Sequence, residues 1–232
     1  MELLKNEAQK QGVMLTQDML GKYETYAKKL IEANEVMNLT TVVDMEGIQL
    51  RHFYDSLSPL FFGIIKNGAS VIDVGTGAGF PGLPLKIARD DISLTLSDSL
   101  NKRLEFLKSV TKEIGINSQI VHARAEDLGQ DKAHREQYDV CVSRAVAPLN
   151  VLAELTIPFV KIGGICIYYK GKTADEELNS AKKAIEEMGG RYKETKCYEA
   201  QGTAFYLIIC EKIRQTPQKY PRKAGLPKKS PL

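Results

Sequence analysis

Val71-Ile72-Asp73-Val74-Gly75-Thr76-Gly77-Ala78-Gly79-Phe80-Pro81-Gly82 opens as a short apolar run rich in β-branched residues and then breaks into glycines. The apolar run has the pattern of a buried strand. Glycine admits positive φ and lets a ligand come close to the backbone. Leu83-Pro84-Leu85-Lys86-Ile87-Ala88 follows as the first turns of a helix, where Pro81 and Pro84 cost little because the missing N–H has no partner there. A strand, a glycine turn and a helix N-terminus in succession form a nucleotide-type pocket.

Spacing leaves two nucleotides open. Gly77-x-Gly79-x-x-Gly82 matches the dinucleotide fingerprint, whereas Gly75-x-Gly77-x-Gly79 after Asp73-Val74 resembles the first motif of class I S-adenosylmethionine methyltransferases. Both want an acid at the end of the next strand to hold ribose hydroxyls. Asp98 ends Ile92–Ser97 at a suitable distance for either.

Working outward, Leu100, Leu104, Leu107 and Val110 are helix-spaced. Gln119–Ala123 reads as a third strand opening into the polar turn Arg124–Leu128. Tyr138–Ser143 reads as a fourth strand ending at Arg144, followed by a helical pattern over Leu149–Val160 that Pro158 should bend or end. Gly163–Tyr169 is a fifth strand closing on Lys170-Gly171. A helix over Asp175–Met188, ended by Gly189-Gly190, precedes an antiparallel pair at Arg191–Tyr198 and Phe205–Glu211. Alternating strands and helices predict a mostly parallel sheet covered on both faces. Ligands in such sheets sit beyond the strand C-termini, where the glycine turn, Asp98, Arg124 to Glu126, Arg144 and Lys170 all fall. A dehydrogenase would also need a second substrate domain or a proton-transfer group. No stretch after the sheet is long enough for such a domain, and the closing antiparallel pair resembles the end of a methyltransferase sheet, so S-adenosylmethionine is the expected cofactor.

Before the sheet, Thr16 is placed to cap a helix with Met19, Leu20, Tyr23, Ala27, Leu30 and Ile31 on one face. Asn34–Thr41 reads as a loop. A second helix is expected from Asp44 past Pro59 with a break. In Arg51-His52-Phe53-Tyr54-Asp55-Ser56-Leu57, His52 and Asp55 are three apart, which on an α-helix lets them touch. Either Asp55 orients a packed histidine, or this face covers the cofactor pocket.

The 232 residues suit one domain with extensions: a helical extension over 1–66, a core over 67–213 and a tail over 214–232. No apolar run approaches membrane-span length, and Met1–Glu7 has no signal-peptide character. Cys141, Cys166, Cys197 and Cys210 form no CxxC pair. Buried free thiols in a reducing cytoplasm, and no metal, are therefore expected. The net charge of +3 is uneven, because Lys212–Leu232 carries seven Lys/Arg and no Asp/Glu. A basic tail on a mildly acidic body points to a polyanionic partner. The tail can be a disordered end, or a phosphate clamp for RNA through Lys219, Arg222 and Lys223.

Taken together, Asn38-Leu39-Thr40, Arg51–Leu57, Asp73–Pro84, Asp98–Arg103, Arg124-Ala125-Glu126, Ser143–Ala147, Lys170-Gly171 and Thr216–Gly225 resemble the bacterial small-subunit rRNA guanine-N7 methyltransferase family, also called glucose-inhibited division protein B or RsmG. The resemblance covers nearly the whole length and departs from the family only in spacers such as Gln130–Gln137. It implies a class I S-adenosylmethionine-dependent fold, Rossmann-like, with a seven-stranded mostly parallel sheet. It implies methyl transfer to 16S rRNA of the small ribosomal subunit by a cytoplasmic monomer, with no membrane or metal. It places Gly75, Gly77, Gly79 and Phe80 at the methionine portion of the cofactor, Asp98 with Ser99 and Leu100 at ribose and adenine, and Ala125 and Glu126 at the adenine edge. Arg144 lies by the methyl-transfer centre, and His52, Lys170, Asn38 and Arg124 position RNA or cofactor. A non-catalytic, cofactor-sensing RNA-binding or assembly protein would keep the same pocket and tail.

Overall fold

The computed structural model describes residues 1–200 and 202–232. Among the described residues seven strands make one sheet: β1 (Ser70–Val74), β2 (Ser93–Asp98), β3 (Gln119–His122), β4 (Tyr138–Arg144), β5 (Val160–Lys170), β6 (Gly190–Ala200) and β7 (Thr203–Lys212). Their spatial order is β3-β2-β1-β4-β5-β7-β6. The first five run parallel, while β7 lies antiparallel to both β5 and β6.

The two-residue period of the strands divides the core into two layers. Val71, Val140, Val142, Ile167 and Leu207 point to one face. Ile72, Val74, Cys141, Cys166, Tyr168, Ile208 and Cys210 point to the other. The first face is covered by α1 (Glu2–Lys10), α2 (Gln17–Met37), α3 (Met45–Gly47), the π-helical segment Ile48–Tyr54, α4 (Asp55–Phe61), α5 (Gly82–Ala88) and α6 (Asn101–Glu113). The second is covered by α7 (Ala125–Leu128), α8 (Leu149–Thr156), α9 (Ala174–Glu187) and the tail, which contributes Tyr220. A last short helix is α10 (Leu226–Lys229).

Thr16 caps α2 as its sequence predicts, its Oγ1 accepting from Met19 N at 3.3 Å. Pro158 ends α8 by forcing the 3₁₀ turn Ile157–Phe159. Cys141, Cys166 and Cys210 face one another across β4, β5 and β7 as buried free thiols, while Cys197 is exposed.

Three expectations change. The loop expected from Asn34 begins at Asn38, because α2 runs to Met37 and ends on Asn38 in the left-handed conformation at φ 50°. The break expected in the second helix does not fall at Pro59. Pro59 lies inside α4, and the irregularity is the π-helical segment upstream. That segment also separates His52 from Asp55. Its wider turn removes the three-residue spacing that an α-helix would turn into a contact. The side chains take different partners: Thr40 Oγ1 for His52 at 2.7 Å, and Arg144 and Tyr198 for Asp55.

The tail lies against the core. The Arg135 guanidinium donates to the carbonyls of Gly129 (2.9 Å), Tyr220 (2.7 Å), Thr216 (2.7 Å) and Pro217 (3.3 Å). Arg222 makes a two-pronged pair with the buried Glu154, its Nη2 standing 2.6 Å from Oε2. Among the described residues, no helix is long and apolar enough to cross a membrane.

Candidate active site

Gly75, Gly77 and Gly79 carry the chain out of β1 with φ of 72°, 60° and 105°. The N–H groups of Gly75 and Thr76 donate to Ser97 O of β2 at 2.9 and 3.0 Å, which fixes the turn over the sheet edge. A Cβ on Gly75 would stand 2.5 Å from Val146 Cγ2, so the β4–α8 loop packs directly on this backbone. At Gly77 an added Cβ would meet nothing within 4 Å, so the backbone there faces open space that a ligand can enter. Two buried tyrosines of α2 hold the segment from behind. Tyr23 donates to Pro84 O at 2.7 Å, and Tyr26 donates to Ala78 O.

Asp98 ends β2 beside the turn. Its Oδ2 accepts from Gly77 N at 2.9 Å and from Arg103 Nη1 at 3.3 Å, and its Oδ1 accepts from Leu100 N at 2.9 Å. Ser99 and Leu100 are exposed next to it. Ala125 and Glu126 follow β3 in α7, where Glu126 Oε1 accepts from Gly225 N of the tail at 2.8 Å.

Beneath the turn sits Asp73, fully buried. Its Oδ2 accepts from Thr76 Oγ1 and Gly82 N, both at 2.8 Å, whereas its Oδ1 has no partner among the described residues. Burial pushes this carboxyl up to about 7, against the pull of those two hydrogen bonds and of Arg144.

A cleft of about 1160 Å³ opens beyond Arg144 at the end of β4, lined by His52, Asp55, Arg144, Val146, Lys170 and Glu177 among others. It meets the glycine turn at Val146. Arg144 pairs with Asp55, donates to Arg51 O at 3.3 Å, and lies 5.2 Å from the Phe80 ring centroid. Asp55 also accepts from Tyr198 Oη. His52 stacks on Phe80 at 4.5 Å. Burial, with Arg144 adding to it, lowers its pKa to about 4, so the ring is neutral at physiological pH. Lys170 Nζ lies 2.6 Å from Glu177 Oε2.

The structure thus gathers Gly75, Gly77, Gly79, Phe80, Asp98, Ser99 and Leu100 at one end, and His52, Arg144 and Lys170 around the adjoining cleft. Ala125 and Glu126 stand at the end of β3, next to Asp98's strand. Asn38 and Arg124 do not line the cleft: Asn38 closes α2, and Arg124 is exposed just before α7. Lys219 and Lys223 are exposed on the tail, but the Arg222 guanidinium is taken up by Glu154. Asp73, Tyr26 and Glu177 also stand around the turn and the cleft, and their places follow from tertiary packing. Asp73 alone carried a signal, as an acid inside an otherwise apolar strand.

Parallel β3-β2-β1-β4-β5 closed by an antiparallel β7-β6 pair, with a glycine turn after β1 and an acid after β2, is the arrangement of class I S-adenosylmethionine-dependent methyltransferases. A methyltransferase from Pyrococcus furiosus shares this fold at TM-score 0.55 and 17% identity, over 82% of this chain and 98% of that one. TYW2 of M. jannaschii, solved in complex with AdoMet, shares it at TM-score 0.52 and 15% identity, over 64% of this chain and 72% of that one. The family model described as rRNA small subunit methyltransferase G matches residues 19–205. Ribosomal RNA small subunit methyltransferase G of Alkaliphilus metalliredigens is 46% identical over 233 residues, 99% of this chain and 98% of that protein. The chain belongs to the rRNA small subunit methyltransferase G family. That membership decides between the two nucleotides left open by glycine spacing, in favour of the methyl donor.

Proposed function

We propose that this protein transfers the methyl group of S-adenosylmethionine to N7 of a guanine in 16S rRNA of the small ribosomal subunit, in the bacterial cytoplasm. The observation that carries the reading is the junction at Val146, where the glycine turn with its acid meets a cleft lined by Arg144 and Lys170. The residues present fit the cofactor. Gly77 leaves its backbone open to a ligand, and Asp98 places a carboxylate beside it where ribose hydroxyls can donate. Asp73 Oδ1, with no partner among the described residues, adds a polar atom beneath the turn.

Bound there, the cofactor supplies an electrophilic methyl on a sulfonium. Guanine N7 carries a lone pair and no proton, so the chain has no general base to provide. Its task is to hold the acceptor in line, and a misplacement of about 1 Å in such an arrangement costs on the order of 10²-fold in rate. This explains how a neutral, stacked His52 serves the site without a Ser/His/Asp constellation around it. Arginine usually reads guanine through O6 and N7 together. Here N7 must face the methyl and becomes part of a cation, so a basic group must leave it free. Asp55 holds Arg144 Nη1, and the remaining edge of the guanidinium is available to O6, to phosphate or to the cofactor carboxylate. His52 and Phe80 form a flat wall beside it. Asn38, Arg124, Lys219 and Lys223 contact the RNA backbone away from the chemistry, and Arg222 contributes by fastening the tail to Glu154.

The test is calorimetry with S-adenosylmethionine and with a nicotinamide dinucleotide, followed by tritium transfer to naked 16S rRNA and to small subunits. Heat from the methyl donor alone and label in RNA are expected. Heat from the dinucleotide alone, or label confined to protein, contradicts the proposal. Cofactor and RNA binding without turnover would leave the non-catalytic reading standing instead.

A further inference from the structure

Lys170 is predicted from sequence to touch RNA or cofactor, yet only 8% of its side chain is exposed and its ammonium is held from two sides. It reaches Glu177 Oε2 at 2.6 Å and donates to Ala147 O at 3.3 Å. The same Glu177 oxygen accepts from Leu149 N at 2.9 Å. One carboxylate on α9 therefore ties the end of β5 to the start of α8, and through Lys170 to the loop between β4 and α8. That loop carries Ala145 in the left-handed conformation at φ 56° and sets Val146 on the glycine turn. A non-glycine residue held in that region is strained and persists only where its surroundings impose it. Lys170 and Glu177 supply that constraint on one side, and Arg144 on Asp55 supplies it on the other.

Charge gives Glu177 a second task. Transfer breaks the S–C bond, forms the N7–C bond and moves the positive charge from the sulfonium to the base, and a bare ammonium on the base's side of the cleft would oppose that shift. Pairing with Glu177 cancels the Lys170 charge where the reaction needs it cancelled.

Resting on the methyl-transfer reading above, we infer that Glu177 is a positioning residue for the reaction. It fixes the β4–α8 loop through Leu149 and Lys170 and neutralises Lys170 against the positive charge that forms on the base. Neither the glycine motif nor the acid after β2 includes this residue.

The experiment uses the full chain with small subunits, comparing wild type, Glu177→Gln, Lys170→Met and the double variant. Single-turnover transfer and RNA affinity are measured separately. Glu177→Gln leaves an uncancelled cation in the cleft. Transfer should slow by about ten-fold while RNA binding stays equal or tightens. The double variant should be no slower than Lys170→Met alone, because the charge that Glu177 cancels is then gone and glutamine keeps an oxygen for Leu149 N. A merely structural role would instead weaken transfer and RNA binding together. That outcome overturns the inference, as does a Glu177→Gln rate within two-fold of wild type, or losses that multiply in the double variant. If Glu177→Gln does not fold, Glu177→Asp, whose shorter side chain cannot span both partners, is judged by the same split. If the wild type itself transfers no methyl to RNA, the proposed function fails rather than the inference. Amide exchange at Leu149 then decides. Glu177→Ala should accelerate it by at least about ten-fold, and unchanged exchange overturns the positioning role.

Discussion

Replacing Asp73 by Asn should make the stability difference between variant and wild type reverse sign with pH. Asp73 is fully buried, and its burial raises the carboxyl from an ordinary 3.8 to about 7. The folded protein therefore favours the neutral acid. The stability tied to this group is fully present below the unfolded value and is lost as pH climbs through about 7. A rise from 3.8 to about 7 corresponds to about 4 kcal/mol at about 1.36 kcal/mol per pH unit. Asparagine keeps an oxygen for Thr76 Oγ1 and Gly82 N, but puts an NH₂ where Oδ1 has no partner. The neutral acid's O–H is a buried donor there too, so the amide's second N–H is the difference, and it costs about 1 kcal/mol at every pH. Wild type should thus be the more stable protein by about 1 kcal/mol near pH 4, and the variant by about 3 kcal/mol near pH 8. Urea unfolding of both proteins at half-unit steps across this range measures the difference directly. A difference flat in pH, or one that favours wild type increasingly as pH rises, would refute the reasoning.

Three further outcomes are expected. Arg222→Ala should destabilise the fold by about 3–5 kcal/mol, because it strands the Glu154 carboxylate at 1% exposure. Adding Glu154→Gln should recover much of that loss in urea melts. Tyr26→Phe removes the only donor described for Ala78 O and should cost about 1–3 kcal/mol in stability. Because that carbonyl belongs to the glycine turn, calorimetry should also show weaker binding of the methyl donor. The His52 ring, lowered to about 4, should show no NMR titration between pH 5.5 and 8. Its contribution to stability should be lost as pH falls from its ordinary 6.5 toward 4, and a midpoint near 6.5 would show that the ring is not desolvated as described.

The sheet and its ligand end were legible because they rest on local rules. Buried strands ending in glycines, an acid after β2 and an antiparallel closing pair each leave a mark in a few consecutive residues. The segment Ile48–Tyr54 left no such mark, since a widened turn is set by what the helix packs on rather than by its own residues. The expected His52–Asp55 contact failed for that reason. Asp55 instead joins Arg144 and Tyr198, partners 89 and 143 positions away. Glu154 and Glu177 looked like polar positions on ordinary amphipathic helices, and only tertiary packing shows that each receives a distant cation. The tail reads as disordered by composition, yet Tyr220, Thr216 and Arg222 fasten it through long-range contacts that composition does not encode.

In the proposed reaction the turn after β1 holds a sulfonium donor for the N7 position of a guanine. Incubating the protein with isotopically labelled S-adenosylmethionine and small ribosomal subunits, then digesting the 16S rRNA to nucleosides for mass spectrometry, tests it most directly. Labelled 7-methylguanosine is the predicted product, and its loss when Asp98 is replaced by Ala should follow. Label in any other nucleoside, or none in RNA while the donor binds, would contradict the account.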